Sequence, residues 1–263
     1  MERIQKLLAR SGLGSRREIE GWMRDGVVRH NGEVAALGAQ TSAGDRITVR
    51  GYHYRVQAGE KRPRVLMYHK PEGEITTRKD EQNRQTVFDR LPHLKNARWV
   101  AVGRLDINTT GLLLLTTDGE LANALMHPSS EVEREYAVRV FGHASDQQLK
   151  AMRDGVDLDG SNAAFDRIVD AGGQGRNRWY HVTLREGKNR EVRRLWQSQD
   201  LTVSRLMRVR YGPVSLPKWL KPGKWRDLSS QAVQSLIESS GVGGSGSELL
   251  LKPAKPGKKS AKR

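Results

Sequence analysis

The sequence predicts an α+β protein of two domains followed by a tail. A small N-terminal domain spans 1–62, a larger one built on a mixed, largely antiparallel β-sheet with flanking helices spans 63–235, and a basic segment covers 236–263. Three observations predict this. Two short helical patterns and an Asn-Gly hairpin signal crowd into the first sixty residues. Beyond residue 63 the apolar runs lengthen into strand-like stretches such as VLMYHK and LLLLTT, joined by connections too irregular for a doubly wound sheet. The last stretch mixes Gly, Ser, Pro and Lys.

Taken in order, ERIQKLLAR puts Ile4, Leu7 and Leu8 on one helical face, with Arg3, Lys6 and Arg10 off it. Gly12 and Gly14 punctuate the chain. Ser15 then opens a capping box with Glu18, so RREIEGWMRD forms a helix that buries Ile19, Trp22 and Met23 and stops at Gly26. Asn31-Gly32 turns a hairpin inside VVRHNGEVA, and RITVRG supplies a further strand. YRVQAGEKRPR reads as a polar connector.

In the larger domain, 65–70 is a strand that turns at Pro71-Glu72-Gly73. The strand WVAV (99–102) runs into Gly103-Arg104-Leu105-Asp106, and LLLLTT (112–117) follows. Asp118 caps a helix, ELANALM, that ends before Pro128. Strand 133–142 places Tyr136, Val138 and Val140 on one side, and Ser145 with Gln148 forms a second capping box for DQQLKAMRD. Strands near 164–170 and 179–185, a helix over 189–198 and a strand over 204–212 complete the domain. Residues 236–263 have too little to bury to offset their ordering entropy and are expected to be disordered, either as a solubilising tail or as a basic arm for phosphates.

The chain of 263 residues carries 46 Lys+Arg against 30 Asp+Glu, a net +16. That charge calls for an acidic partner, with nucleic acid or an anionic membrane surface as the open choices. The three segments carry +5, +7 and +4. No apolar run approaches a spanning helix, and MERIQKLLARSGLGSRRE lacks the apolar core of a signal peptide, so a cytoplasmic location is expected. With no cysteine there are no disulfides, thiolate nucleophiles or Cys-ligated zinc. The seven histidines are scattered, and neither a phosphate-binding GxxxxGK[ST] loop nor HExxH occurs. No metal and no cofactor are therefore expected.

Two features could carry chemistry. Asp106 lies in a loop between two apolar strands, with Gly103, Asn108 and Gly111. A sheet edge holds such a carboxylate rigidly for catalysis, although the commoner role of Asp in a GxxD loop is an Asx-turn that bonds its own backbone. The second is the helix 189–198, where Arg190, Arg193, Arg194 and Gln197 fall on one polar face and Val192, Leu195 and Trp196 on the buried face. RNA phosphate, a carboxylate such as Asp106, or merely Glu186 and Glu191 could neutralise these arginines.

GSRREIE followed by VxxNGE resembles the αL RNA-binding domain found in a small-subunit ribosomal protein, in tyrosyl-tRNA synthetases and in some RNA-modifying enzymes. The resemblance implies that Ser15, Arg16, Arg17, Arg24 and Asn31 lie on or near an RNA face. YHKPEGEITTR (68–78), VAVGRLDINTTGLLLLTTDGELANALMHP (100–128), EREYAVRVFG (133–142), LREGKNREVRRLW (184–196) and SRLMRVRYG (204–212) resemble the RsuA/RluB branch of the pseudouridine synthases. With the first module included, the likeness runs from residue 2 to about 230. It implies the pseudouridine synthase fold and an isomerase that needs no cofactor, acting as a monomer on large-subunit (23S) ribosomal RNA or an assembling large subunit; the alternatives are the same isomerisation on small-subunit rRNA, or a noncatalytic rRNA-binding or assembly factor on the same scaffold. The family's catalytic aspartate falls on Asp106, its space-filling arginine on Arg104 and its base-packing tyrosine on Tyr136. The basic partner of the aspartate falls on the REVRR run, best on Arg193, with Arg190 and Arg194 as alternatives. Lys188, Arg190 and Arg194 are expected to face RNA. Asp106 would act either as a nucleophile at the ribose or as a base on its 2′ proton.

Overall fold

A computed structural model describes residues 1–60, 63–241 and 247–254. The chain divides into two compact units. One comprises Met1–Arg62, His93–Arg98 and Ser245–Arg263, and the other Pro63–Pro92 and Trp99–Gly244. No described helix is long and apolar enough to cross a membrane.

The first unit begins with β1 (Glu2–Arg3), α1 (Ile4–Arg10) and α2 (Arg16–Arg24). The strands β2 (Val28–His30), β3 (Glu33–Val34), β4 (Gln40–Thr41), β5 (Arg46–Val49) and β6 (Tyr52–Glu60) follow. The Ser15–Glu18 capping box forms as expected, with the Ser15 hydroxyl accepting from the Glu18 N–H and the Glu18 carboxylate accepting from the Ser15 N–H. Ile4, Leu7, Leu8, Ile19 and Met23 are buried against Val28, Ile47, Val49 and Val56. Trp22 is only half-buried, and the Arg50 guanidinium lies 4.2 Å from the centre of its ring.

The second unit contains β7 (Val65–Lys70), β8 (Val100–Val102), β9 (Thr110–Thr116), α3 (Gly119–Met126) and β10 (Arg134–Phe141). Next come α4 (Asp146–Asp154), β11 (Val156–Asp157), β12 (Asn162–Ala163), β13 (Arg167–Gln174), β14 (Asn177–Leu184) and α5 (Glu191–Gln197). β15 (Thr202–Tyr211), β16 (Val214–Ser215), β17 (Trp225–Asp227) and α6 (Ser230–Ser239) close it. The main sheet runs β13-β14-β10-β15-β9-β7-β17, with β8 on β9 and β16 on β15. Its pairings are antiparallel except for β9 with β15. One core gathers Trp196, Tyr180, Phe165, Val138 and Val140, and another gathers Leu112, Leu114, Leu121, Tyr211 and Leu236.

Three expectations need correction. The polar connector is mostly β6, a strand that pairs with β5 on one side and is legible only through Val56 and half-buried Tyr54. The disordered tail is in part a strand, β18 (Ser247–Pro253), paired antiparallel with the other edge of β6. Leu251 drops into the first unit's core, Leu249 packs against it, and Arg10 pairs with Glu248, so this stretch does have surface to bury. Residues 242–246 and 255–263 of that tail lie outside the described residues. Finally, the proposed boundary at 235 falls inside α6, whose Leu236 and Ile237 are buried in the second unit.

Candidate active site

β8 leads into the Asp106 loop, and β9 leads away from it. The loop is held by its own carbonyl oxygens. The Thr76 hydroxyl donates to Leu105 O (3.0 Å), the Gly73 N–H to Ile107 O (2.9 Å), and the Lys70 ammonium to Thr109 O (2.9 Å) and Ile107 O (3.4 Å). One Arg193 nitrogen donates to Asn108 O at 2.9 Å and another to Val203 O at 3.1 Å, tying the loop to the start of β15. Bonds to the carbonyls of Leu105, Ile107, Asn108 and Thr109 thus fix the backbone on either side of Asp106.

Gly111 completes the clamp. Its φ is +103°, and a Cβ there would lie 2.2 Å from the Arg208 carbonyl oxygen. Only glycine permits the close parallel approach in which Arg208 faces Gly111 and Met207 faces Thr110. Register then sets a row across the sheet: Tyr136 faces Arg208, Arg208 faces Gly111, and Gly111 faces Lys70. Tyr136 is half-buried, packs against the Val138 and Val140 cluster, and stands two strands from β9, on the order of 10 Å away.

The Asx-turn reading of Asp106 fails. The turn is closed by the main chain, Thr109 N–H to Asp106 O at 3.0 Å, and the half-buried carboxylate accepts no hydrogen bond among the described residues. Asp118 shows the contrast, since its carboxylate is occupied in capping α3. Two buried or half-buried cations face the Asp106 region. Burial pushes the Lys70 ammonium down to about 8, against the opposing charges of Glu74, Asp106 and Glu72. Arg193 is lowered by burial and by Arg190, with Asp106 and Glu72 opposing.

The three arginines separate. Arg193 serves the Asp106 loop through main-chain carbonyls and through charge rather than by a direct bond to the carboxylate. Arg194 pairs with Asp159 at 2.6 Å. Arg190 is not on the helix: it is the N-cap of α5, at φ 49°, and is exposed. The single polar face expected over 189–198 is thus broken by a late helix start. Lys188 donates to Asn162 O and pairs with Glu186 at 2.5 Å. Arg104 is exposed with no side-chain partner among the described residues.

In the first unit, Arg16, Arg17 and Arg24 are exposed on α2. Ser15 and Asn31 are committed internally. Ser15 caps α2, while the Asn31 oxygen accepts from the Arg46 N–H at 2.8 Å and its amide donates to Asp45 at 3.1 Å. Burial alone would raise the Asp45 carboxyl, but bonds from Ser42 N–H, Asn31, His30 and Thr41 hold it well below the usual range. Asn31 therefore shapes the hairpin.

Sequence reasoning missed Lys70 and Glu74. Lys70 is fully buried beneath the loop. Glu74, 2% exposed, takes the Tyr68 hydroxyl at 2.6 Å and Arg90 at 2.8 Å, which anchors the turn after β7. The signal available was the ionisable pair flanking Pro71-Glu72-Gly73. A cleft of about 500 Å³ lined by Glu133, Glu135, His181 and Arg210 includes none of the expected site residues, and its charges satisfy one another.

Residues 64–198 match the RNA pseudouridylate synthase family, and residues 2–47 match the S4 domain. A protein of Escherichia coli K12 named ribosomal large subunit pseudouridine synthase B is 56% identical over 240 residues, 90% of this chain and 82% of that one. Proteins of the same name from Yersinia pestis and Pseudomonas aeruginosa are 55% and 54% identical, covering 90% and 92% of this chain and 76% and 63% of theirs. A crystal structure of a pseudouridylate synthase shares the fold, with a TM-score of 0.61 at 24% identity over 90% of this chain and 100% of that one.

Proposed function

The chain belongs to the RNA pseudouridylate synthase family and carries an S4 domain, and from that premise we propose that it isomerises a uridine of large-subunit ribosomal RNA to pseudouridine, with Asp106 as the reacting carboxylate. The substrate class follows the name shared by the relatives above. The observation that carries the reading is an unpartnered carboxylate on a loop whose neighbouring carbonyls are fixed by Lys70, Thr76 and Arg193.

The reaction breaks the bond between ribose carbon 1′ and uracil nitrogen 1, turns the ring, and joins carbon 5 to carbon 1′. Carbon 5 gives up its proton and nitrogen 1 gains one, so the atoms balance with no donor or oxidant. The step needs an ionised carboxylate, either as nucleophile at the sugar or as base for the 2′ proton. Asp106 is free to do either because no neighbour among the described residues holds its oxygens, and it lies within electrostatic reach of Lys70 and Arg193. The target must leave its stack, at a cost of a few kcal/mol. Tyr136 offers a face for the flipped ring and recovers part of that cost. Arg104, exposed on the same loop and without a partner among the described residues, fills the gap the base leaves in its stack. The exposed arginines of α2 add sequence-independent phosphate affinity.

Tritium release from RNA labelled at uracil carbon 5 tests this reading. The wild-type chain is expected to release tritium from large-subunit rRNA transcripts, and Asp106→Asn to release none while binding the same RNA. Full release by the variant would overturn the assignment of Asp106.

A further inference from the structure

Of six tryptophans, five are buried or half-buried, and Trp219 stands 62% exposed. It is not on a loose loop. The Leu220 N–H donates to Pro217 O at 3.1 Å, closing a turn with Lys218 and Trp219 at its tip. Leu220 itself is 4% exposed and anchors the turn. A second turn follows, with the Lys224 N–H bonded to Lys221 O.

Three hydrogen bonds tie this segment to the end of β7. His69 Nδ1 donates to Leu220 O at 2.7 Å, the Gly223 N–H to His69 O at 2.7 Å, and the His69 N–H to Lys224 O at 2.9 Å. His69 precedes Lys70, whose ammonium holds the Asp106 loop. The turn therefore sits at the same end of the sheet as Asp106. It leads into β17, two strands from β9 and on the opposite side of β9 from Tyr136, on the order of 10 Å from β9. That distance is within reach of a nucleotide close to the target.

The chemistry of the turn fits one ligand class. Lys218, Lys221 and Lys224 are exposed, and none forms an ion pair among the described residues. An exposed indole on a hydrogen-bonded turn, with exposed lysines at 218, 221 and 224 of the same short segment, matches an unpaired nucleobase and its neighbouring phosphates, because every base presents a π-face and single strands leave it open. A duplex hides those faces, and a protein surface would leave three lysines to be neutralised.

We propose that Trp219 is a stacking platform for an unpaired nucleobase close to the target uridine, with Lys218, Lys221 and Lys224 taking the adjoining phosphates. This rests on the uridine-isomerising reading and assigns a second substrate contact on the far side of β9 from Tyr136. Trp219 holds the strand in place while Asp106 reacts, so it acts on binding rather than on the chemical step.

The test uses the full chain with Trp219→Ala and Trp219→Phe. Binding is measured to a short single-stranded oligouridylate and to an RNA duplex of equal length, and steady-state tritium release is measured on large-subunit rRNA. Trp219→Ala is expected to weaken oligouridylate binding roughly 5- to 100-fold. It should leave duplex affinity within about twofold and raise KM with kcat little changed, and Trp219→Phe should restore most of the loss. Each of Lys218→Ala and Lys221→Ala should flatten the salt dependence of single-strand binding by about 0.7 in log–log slope. Unchanged oligouridylate affinity in Trp219→Ala would overturn the proposal, as would an equal loss on both RNAs, which would mark a general disturbance. A wild-type chain that binds oligouridylate through Trp219 but releases no tritium would sink the isomerase reading and leave the stacking site standing.

Discussion

At the scale of single residues, the proposed substrate contacts Asp106, Tyr136 and Arg104 differ from the groups that hold the loop in place. On the proposed reading Arg193 acts as a positioning residue, because its hydrogen bonds go to Asn108 O and Val203 O. Arg193→Lys cannot span both carbonyls, and displacing the loop by a fraction of an ångström is expected to lower kcat roughly 10- to 100-fold with RNA affinity retained. Arg194→Ala, which loses only an exposed pair with Asp159, should stay within a few-fold of wild type in the same assay. Lys70 offers a pH test. Its folded value near 8 lies below the ordinary 10.5, so burial penalises the charged form. Between those values the unfolded chain binds more protons than the folded one, and stability rises with pH. The penalty is fully present below pH 8 and is relieved toward pH 10.5. Chemical denaturation across that window should show wild type gaining roughly 3 kcal/mol relative to Lys70→Met. A flat difference would remove Lys70 from the account. The motifs pointed to Asp106 and Tyr136, whereas nothing in them pointed to Lys70. Its role depends on being buried under a loop that reaches it only through the β7–β9 register.

At the scale of elements, legibility followed local signals. Both capping boxes, the Asp118 cap and the buried faces of α1 and α5 were readable because each is a contact between residues a few positions apart. β6 escaped because it is mostly polar, and β18 because its three leucines sit in a Gly-, Ser- and Lys-rich stretch and find their partner strand about two hundred residues away in sequence. The α5 start also escaped, since Arg190 in a left-handed conformation carries no sequence mark. The β9–β15 crossing is the element that carries the site. Gly111→Ala would drive a Cβ to 2.2 Å from Arg208 O at a φ of +103°, so the two strands must part. Thermal melts should show a loss on the order of 2 kcal/mol or more, and activity should fall further than the melt explains because Tyr136 and the Asp106 loop lose the strand pairing that aligns them. An alanine variant as stable and active as wild type would contradict this role.

At the scale of the whole molecule, a net charge of +16 called for an anionic partner. Its distribution now has structure. Exposed arginines stand on α2 of the first unit, exposed lysines share the turn segment of Trp219 in the second, and Lys70 and Arg193 are turned inward to hold the Asp106 loop. On the proposed reading, the exposed charge that would meet RNA is separate from the charge that holds the Asp106 loop, so binding and chemistry should be separable by mutation. The most direct test is to map carbodiimide-dependent primer-extension stops on large-subunit rRNA from cells carrying the wild-type gene, the Asp106→Asn gene, or neither. The account predicts a stop that is present with wild type and absent in the other two, while purified Asp106→Asn protein still binds the RNA. A stop that persists with Asp106→Asn would contradict it.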